Sequence, residues 1–232
     1  MKRSWRLLIF ILLVGLIVAG YFYLRRPAVS VRTAHVMEFL RNPQNHPDWM
    51  VKAGAQCGEA PFVFPTDGFI GYLWDDSFQA GSRHQGLDIF GGAAPGQTPV
   101  RAAYAGYLTR LPDWKSAVIV RIPRDPLQLD RQIWTYYAHM ADPNGNSFIS
   151  LDFPAGTAEK FVKAGTLLGY QGDYSGDPLN PVGVHLHFSI VQDDGLGHFR
   201  NELEISNTFD PSPYFGMSLN ANDNTGEIPL CK

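Results

Sequence analysis

From residue 61 to residue 216 the chain is divided into short apolar runs separated by Gly, Pro, Asp and Asn. The runs are 69–73, 86–90, 99–110, 117–122, 132–139, 167–172 and 184–192. Short alternating runs between turn residues are typical of β strands, because successive side chains of a strand point to opposite faces. With 23 Gly and 17 Pro among 232 residues, the chain is predicted to be mainly β, with antiparallel strands joined by tight turns.

Near the N-terminus, residues 7–24 carry no charge and are flanked by basic residues on both sides. As a helix this stretch would be about 27 Å long, close to the thickness of the hydrocarbon core of a bilayer. We therefore predict an N-terminal transmembrane helix that anchors the chain in a single pass. A cleaved signal peptide is the alternative, but it would need small residues after a shorter apolar core, whereas residues 21–24 are three aromatics and a leucine.

The pattern divides the chain into four parts. Residues 1–26 are the predicted membrane anchor, 27–60 a stalk with a short helix at 32–40, 61–216 the β domain and 217–232 a polar C-terminal tail. The formal net charge is -3, so the chain lacks the basic surplus that neutralises nucleic-acid phosphates. Nucleic acid is therefore not an expected partner.

The two cysteines stand near opposite ends of the β domain, Cys57 before it and Cys231 next to the last residue. A disulfide between them would join the two ends of the domain. Two cysteines after a membrane anchor, with no C-x-x-C pair, fit an oxidising exterior and place the domain outside the cytoplasmic membrane. The alternative is two free buried thiols in a domain that faces the cytosol.

Four of the seven histidines lie in three motifs at the ends of predicted strands. The motifs are His84-Gln85-Gly86-Leu87-Asp88, Tyr136-Tyr137-Ala138-His139 and Gly183-Val184-His185-Leu186-His187-Phe188. A catalytic zinc takes three protein ligands, including imidazole and carboxylate, and keeps one position for water. His84 and Asp88 can meet at one ion only if the backbone bends between them, which Gly86 allows. His185 and His187 share a strand face, so one or both can bind a metal.

Each motif also has a structural explanation. An H-x-x-x-D pattern occurs by chance, and a histidine that ends an aromatic strand, such as His139, is commonly a hydrogen-bonded boundary residue. Two imidazoles on one face of an apolar strand are harder to explain, because buried polar groups without partners are costly. The joint occurrence of the three motifs predicts a metal site.

Beyond the histidines, residues 65–189 resemble the catalytic domain of lysostaphin/LytM-type zinc metallopeptidases. The matching segments are residues 84–89, 99–106, 137–140, 162–169 and 185–188, followed by Asp210-Pro211 and Tyr214. The resemblance implies that His84, Asp88 and His187 bind one zinc ion and that His139 and His185 are catalytic. It implies a compact antiparallel β-sheet peptidase domain at 61–216 with an active-site groove. The expected substrate is the peptide cross-links of bacterial peptidoglycan.

The chain departs from the family in three places. Phe78 stands six residues before the first metal histidine, where several relatives have a tyrosine that stabilises the oxyanion, and Tyr72 is another candidate for that role. Residues 142–160 look inserted and 173–181 replace a shorter turn, and both are expected to rim the groove. The alternative function is a membrane-anchored, inactive regulator of other cell-wall hydrolases. Such relatives usually lose metal ligands, whereas here all five positions are filled.

Overall fold

The computed structural model describes residues 14–15, 30–77 and 81–231, and it divides the chain into two units, Met1–Ser30 and Val31–Lys232. In the first unit, Val14 and Gly15 are helical. Most of the predicted membrane anchor lies outside the described residues, as does Phe78. No helix within the described ranges is both long and apolar enough to cross a bilayer. The anchor and the location at a membrane stay predictions.

The second unit is built on an antiparallel β sheet, which confirms the prediction of a mainly β fold. Its strands are β1 (Met50–Val51), β2 (Gly68–Tyr72), β3 (Leu87–Phe90), β4 (Pro99–Arg101), β5 (Gly106–Thr109), β6 (Val118–Ile122), β7 (Ile133–Ala138), β8 (Lys160–Val162), β9 (Leu167–Tyr170), β10 (Leu186–Gln192) and β11 (Thr208–Phe209). The main sheet has the order β1-β2-β3-β10-β7-β6-β5-β8, with β11 also paired to β10, while β4 and β9 form a separate two-stranded sheet. The helices are α1 (Val31–Arg41) and α2 (Ser212–Phe215), with 3-10 turns at Pro43–Asn45, Pro47–Trp49 and Ile205–Asn207.

All seven apolar runs contain a strand, but the prediction of a single strand over 99–110 was wrong. This run forms β4, which pairs with β9, and β5, which pairs with β6 and β8 in the other sheet. Between the two strands the Ala102 amide donates to the Thr166 carbonyl at 2.9 Å, and the Ala103 amide donates to the Tyr137 hydroxyl at 2.8 Å. The backbone can leave one sheet for the other because these bonds satisfy its buried amides.

The two faces of the main sheet differ in chemistry. Leu186 and Phe188 of β10 are fully buried in the main apolar core, and His187 lies between them in sequence. Likewise Leu87 of β3 is in the core and Asp88 follows it. Because side chains alternate along a strand, the core on one face leaves His187 and Asp88 on the opposite face. Burial of each large apolar side chain contributes about 1.5–3 kcal/mol, so this core fixes which residues remain for the site.

The short helix predicted at 32–40 is confirmed as α1. Its Val36 and Phe39 are buried and pack with Phe69 of β2 and Phe90 of β3 in a second apolar cluster. The ring centroids of Phe39 and Phe69 are 5.2 Å apart. Within the predicted stalk, residues 31–60 thus supply a helix and the edge strand β1 to the second unit. The boundaries of the four predicted parts stay predictions.

Cys57 and Cys231 form the predicted disulfide, with their Cα atoms 5.3 Å apart. A cross-link of this kind stabilises a domain by about 2–4 kcal/mol, chiefly by restricting the unfolded chain. The C-terminal tail, expected to be a polar surface segment, is partly buried: Leu219 is fully inaccessible and Asn224 is nearly so. The disulfide therefore fastens the end of a tail that already packs on the domain.

Candidate metal centre

The pairing of three strands brings the predicted site residues together. β10 lies between β3 and β7, with His187 opposite Asp88 on one side and Ala138 on the other. Opposed residues of an antiparallel pair have Cβ atoms about 4.5–5.5 Å apart. Asp88 and His187, 99 residues apart in sequence, are therefore neighbours in space, and His139 follows directly after β7.

His84 reaches the same place from the loop before β3. Its Nε2 atom lies 3.0 Å from Asp88 Oδ1, so the backbone bends between them as predicted. Gly86 is required at this point because it packs against the backbone of β10. A Cβ atom at Gly86 would lie 2.1 Å from the carbonyl oxygen of Phe188, so no larger residue fits without moving a strand.

One nitrogen or oxygen atom from each of His84, Asp88 and His187 converges on a single point. His84 Nε2 is 3.1 Å from His187 Nδ1, and His187 Nδ1 is 2.9 Å from Asp88 Oδ1. The Nδ1 atom of His84 donates to the Leu73 carbonyl at 2.9 Å, which leaves a lone pair on Nε2 in the neutral ring. These three atoms could hold a metal ion. Ligands bound to one tetrahedral zinc at about 2.0–2.2 Å lie roughly 3.3–3.6 Å apart, so the arrangement fits zinc with a small outward adjustment.

The two remaining histidines adjoin this cluster without belonging to it. His185 Nδ1 donates to the Gly183 carbonyl at 2.9 Å, and its Nε2 lies 3.5 Å from Asp88 Oδ1. His139 Nδ1 donates to the Tyr174 carbonyl at 2.7 Å. Their ring centroids are 4.6 Å apart. In the neutral form of either ring, the backbone bond at Nδ1 places the proton on Nδ1 and the lone pair on Nε2.

His139 also has a strained backbone. Its φ of 69° lies in the left-handed region, which costs a non-glycine residue roughly 1–3 kcal/mol and persists only where the surroundings impose it. The hydrogen bond from its ring to Tyr174 is one such constraint, and the chain must turn here to leave β7. With this backbone conformation, the His139 imidazole lies beside His185.

Burial and charge set the ionisation of the site. Burial tends to raise the pKa of Asp88, but His84 and His185 outweigh it and hold that pKa well below its usual range. Burial opposes protonation of His84, yet the Asp88 carboxylate raises the pKa of His84. For His139, burial and then the nearby His185 and His187 lower the pKa to about 3. The result is an ionised carboxylate beside a neutral His139.

The five residues line a cleft of about 350 Å³ on the open face of the sheet, as the predicted groove requires. Tyr72 and Phe90 form one wall, and Tyr136 and Leu203 also line the cleft. Neither Tyr136 nor Leu203 was predicted from the sequence as a site residue. Tyr136 could have been found from strand alternation, because it lies on the same face of β7 as Ala138, next to His187. Nothing local marks Leu203, which a distant loop brings to the cleft.

The two unusual loops differ in their relation to the cleft. The loop at 173–181 supports the site through the Tyr174 carbonyl, and Val182, just after it, lines the cleft. No described residue of 142–160 lines the cleft itself, and the expectation that this segment rims the wider groove stays a prediction. The segment packs beside the second sheet, where Ile149 bridges to Gly169 of β9.

Among solved structures, this chain resembles lysostaphin and other M23-type proteins. Lysostaphin from Staphylococcus simulans is 19% identical, with 72% of this chain and 52% of that chain covered and a TM-score of 0.38. The catalytic domain of the prophage-encoded M23 protein EnpA from Enterococcus faecalis is 21% identical over 64% of this chain and 95% of its own, with a TM-score of 0.37. Csd3 from Helicobacter pylori is 20% identical over 66% of this chain, with a TM-score of 0.40.

The matched region spans only 34% of the Csd3 chain and about half of the lysostaphin chain. No protein-family model matches the chain, and no curated protein matches it.

Proposed function

We propose that the chain is a zinc-dependent endopeptidase that hydrolyses peptide cross-links of bacterial peptidoglycan. The observation that carries this proposal is the meeting of three metal-binding atoms with two further imidazoles in one cleft. His84, Asp88 and His187 would hold one zinc ion. With one carboxylate and two neutral imidazoles as ligands, the centre keeps a net positive charge.

When bound, zinc polarises the scissile carbonyl and lowers the pKa of a coordinated water towards 7. The protein's own part is to hold and move protons. His139 and His185 are fixed by their Nδ1 hydrogen bonds to Tyr174 and Gly183, so each presents Nε2 as a proton acceptor. We assign them together the transfer of a proton from water to the leaving amine. Either imidazole, once protonated at Nε2, can also donate a hydrogen bond to the oxyanion.

The substrate class and the location rest on further features. The motifs that resemble lysostaphin-type peptidases favour a peptidoglycan peptide as substrate. The disulfide between Cys57 and Cys231 favours an oxidising compartment, and the hydrophobic N-terminal stretch favours the outer side of a cytoplasmic membrane. A membrane-anchored endopeptidase would thus face the wall that it cuts.

The competing function is an inactive regulator of other cell-wall hydrolases. It would not need a metal or free imidazoles, whereas this chain brings all five groups into one cleft. A structural zinc site is also disfavoured, because such sites are usually closed by four ligands rich in cysteine, and both cysteines here are in the disulfide.

The test uses the full chain in detergent. We expect one zinc per chain by elemental analysis, new amines released from purified peptidoglycan, loss of release with a chelator and recovery on adding zinc. His198→Ala is a matched control, because His198 is exposed and pairs only with Asp194 in the described structure. Stoichiometric zinc without amine release would favour the regulator instead.

A further inference from the structure

The metal ligand His84 is held by a short segment of backbone, residues 73–76, on its outer side. The Leu73 carbonyl accepts from His84 Nδ1 at 2.9 Å. The Asp75 amide donates to the His84 carbonyl at 2.8 Å, and the His84 amide donates to the Asp76 carbonyl at 2.8 Å. Both the ring and the backbone of His84 therefore depend on where residues 73–76 lie.

Asp75 is an unusual residue at the centre of this segment. Its φ is 66°, in the left-handed region, and its side chain is 2% exposed. A buried carboxylate is stable only when it is paired and hydrogen-bonded. Arg83, the residue before His84, forms a bidentate ion pair with the Asp75 carboxylate, and the side-chain amide of Asn222 donates a hydrogen bond to the same carboxylate. Asn222 belongs to the C-terminal tail.

The tail also holds the backbone of this segment directly. The Trp74 amide donates to the Leu219 carbonyl at 3.1 Å, and the Ala221 amide donates to the Trp74 carbonyl at 2.9 Å. Leu219 is fully buried, so this part of the tail is anchored in the core. Nine residues beyond Asn222, the chain is fastened to the domain by the disulfide at Cys231.

Arg32 of α1 ties the same two parts together. Its Nε atom lies 2.7 Å from Asp76 Oδ2, and its Nη2 donates to the Asn224 carbonyl at 2.6 Å. The segment 73–76 is thus fixed by a helix before the β domain and by a tail after it. Neither of them contributes a residue to the cleft wall.

We propose that the C-terminal tail 217–231 positions the metal ligand His84 through Asp75, so that the tail sets the metal affinity of the site from outside it. The inference rests on the proposed zinc function. Asp88 and His187 have adjacent strands to align them, whereas His84 stands in a loop and takes its alignment from residues 73–76. Partners that orient a metal ligand from behind typically change metal affinity by 10- to 100-fold when they are removed.

The test measures metal affinity in full-length Asn222→Ala and Asp75→Asn by competition with a chromophoric chelator. We expect zinc affinity to fall about tenfold in Asn222→Ala and further in Asp75→Asn, which also loses the ion pair with Arg83. The visible spectrum of the Co²⁺-substituted protein should change in both, because it reports ligand geometry. A double Cys57→Ser, Cys231→Ser variant should show a smaller change in the same direction.

Asn146→Ala is the matched control, because Asn146 donates to Asp142 in an exposed Asn–Asp pair outside this region. Urea unfolding of each variant separates positioning from general destabilisation. Unchanged zinc affinity and an unchanged Co²⁺ spectrum in Asn222→Ala would overturn the inference, as would a loss of affinity that only follows the loss of stability. Wild-type protein that binds zinc without cutting peptidoglycan would refute the proposed function and leave the role of the tail intact.

Discussion

Asp88 and His187 are held differently from His84 and His139. The first two lie on paired strands, β3 and β10, whose register makes them neighbours. The other two lie just outside strands, and each depends on hydrogen bonds from its ring to a backbone carbonyl, Leu73 or Tyr174. One half of the site is therefore placed by the strand register of the sheet. The other half is only as well placed as the loops behind it.

The largest effect should come from removing the strand-borne ligand. In His187→Ala we expect stoichiometric zinc to be lost, with affinity more than about 100-fold weaker, because even changes behind a ligand cost 10- to 100-fold. Zinc is counted by elemental analysis after dialysis. His185→Ala, just before the same strand, is the comparison and should retain zinc. Loss of zinc from His185→Ala would mean that both histidines are ligands.

Next in size is the change at the loop-borne imidazole. His139→Ala should keep its zinc and lose about 10²- to 10⁴-fold in turnover, because proton transfer by a positioned side chain contributes that much. Amine release from peptidoglycan and zinc content are measured on the same sample. Full turnover in this variant would remove His139 from the mechanism.

A smaller effect tests how closely the chain at Gly86 packs against β10, the strand that carries His187. Gly86→Ala should lower the free energy of unfolding by about 1–3 kcal/mol, because the new Cβ meets the Phe188 carbonyl and β3 must shift from β10. Denaturant titration gives the value. Gly156→Ala is the comparison for backbone strain alone, since Gly156 has open space around it but a φ of 86° that residues with a side chain rarely adopt. No loss of stability in Gly86→Ala would show that packing at Gly86 does not hold β3 against β10.

The smallest effect, taken per pH unit, is the pH dependence of stability that His139 contributes in metal-free protein. The pKa of His139 is lowered to about 3 in the folded chain, against about 6.5 for an unfolded one. Between these values the unfolded state binds more protons, so stability falls as the pH drops from about 6.5 towards 3, by at most about 1.4 kcal/mol per unit from this group. His139→Gln should flatten that slope in denaturant titrations of chelator-treated protein. An unchanged slope would mean that His139 is not buried as a neutral ring.

Much of the fold could be predicted because it follows from local alternation. Seven apolar runs marked strands that include β3, β7 and β10, and turn residues marked where most of them end. Strands β1, β8 and β11 were missed because two or three residues are too few for a period of two to show. The break between β4 and β5 was missed for another reason. An uninterrupted apolar run gives no sign that its backbone pairs with one sheet in its first half and with the other sheet in its second half.

The residue types at the candidate site could be predicted from the sequence, since histidine and aspartate beside glycine at strand ends already favour a metal. Which atoms meet was a matter of tertiary structure. H-x-H spacing allows either histidine to face a metal, and only the register of β10 against β3, with the bend at Gly86, brings His187 Nδ1 rather than His185 to His84 and Asp88. The proposed support of His84 by a tail more than 130 residues away has no local signal, because its contacts join segments that are distant in the sequence and several of them are backbone hydrogen bonds, which place no demand on residue type.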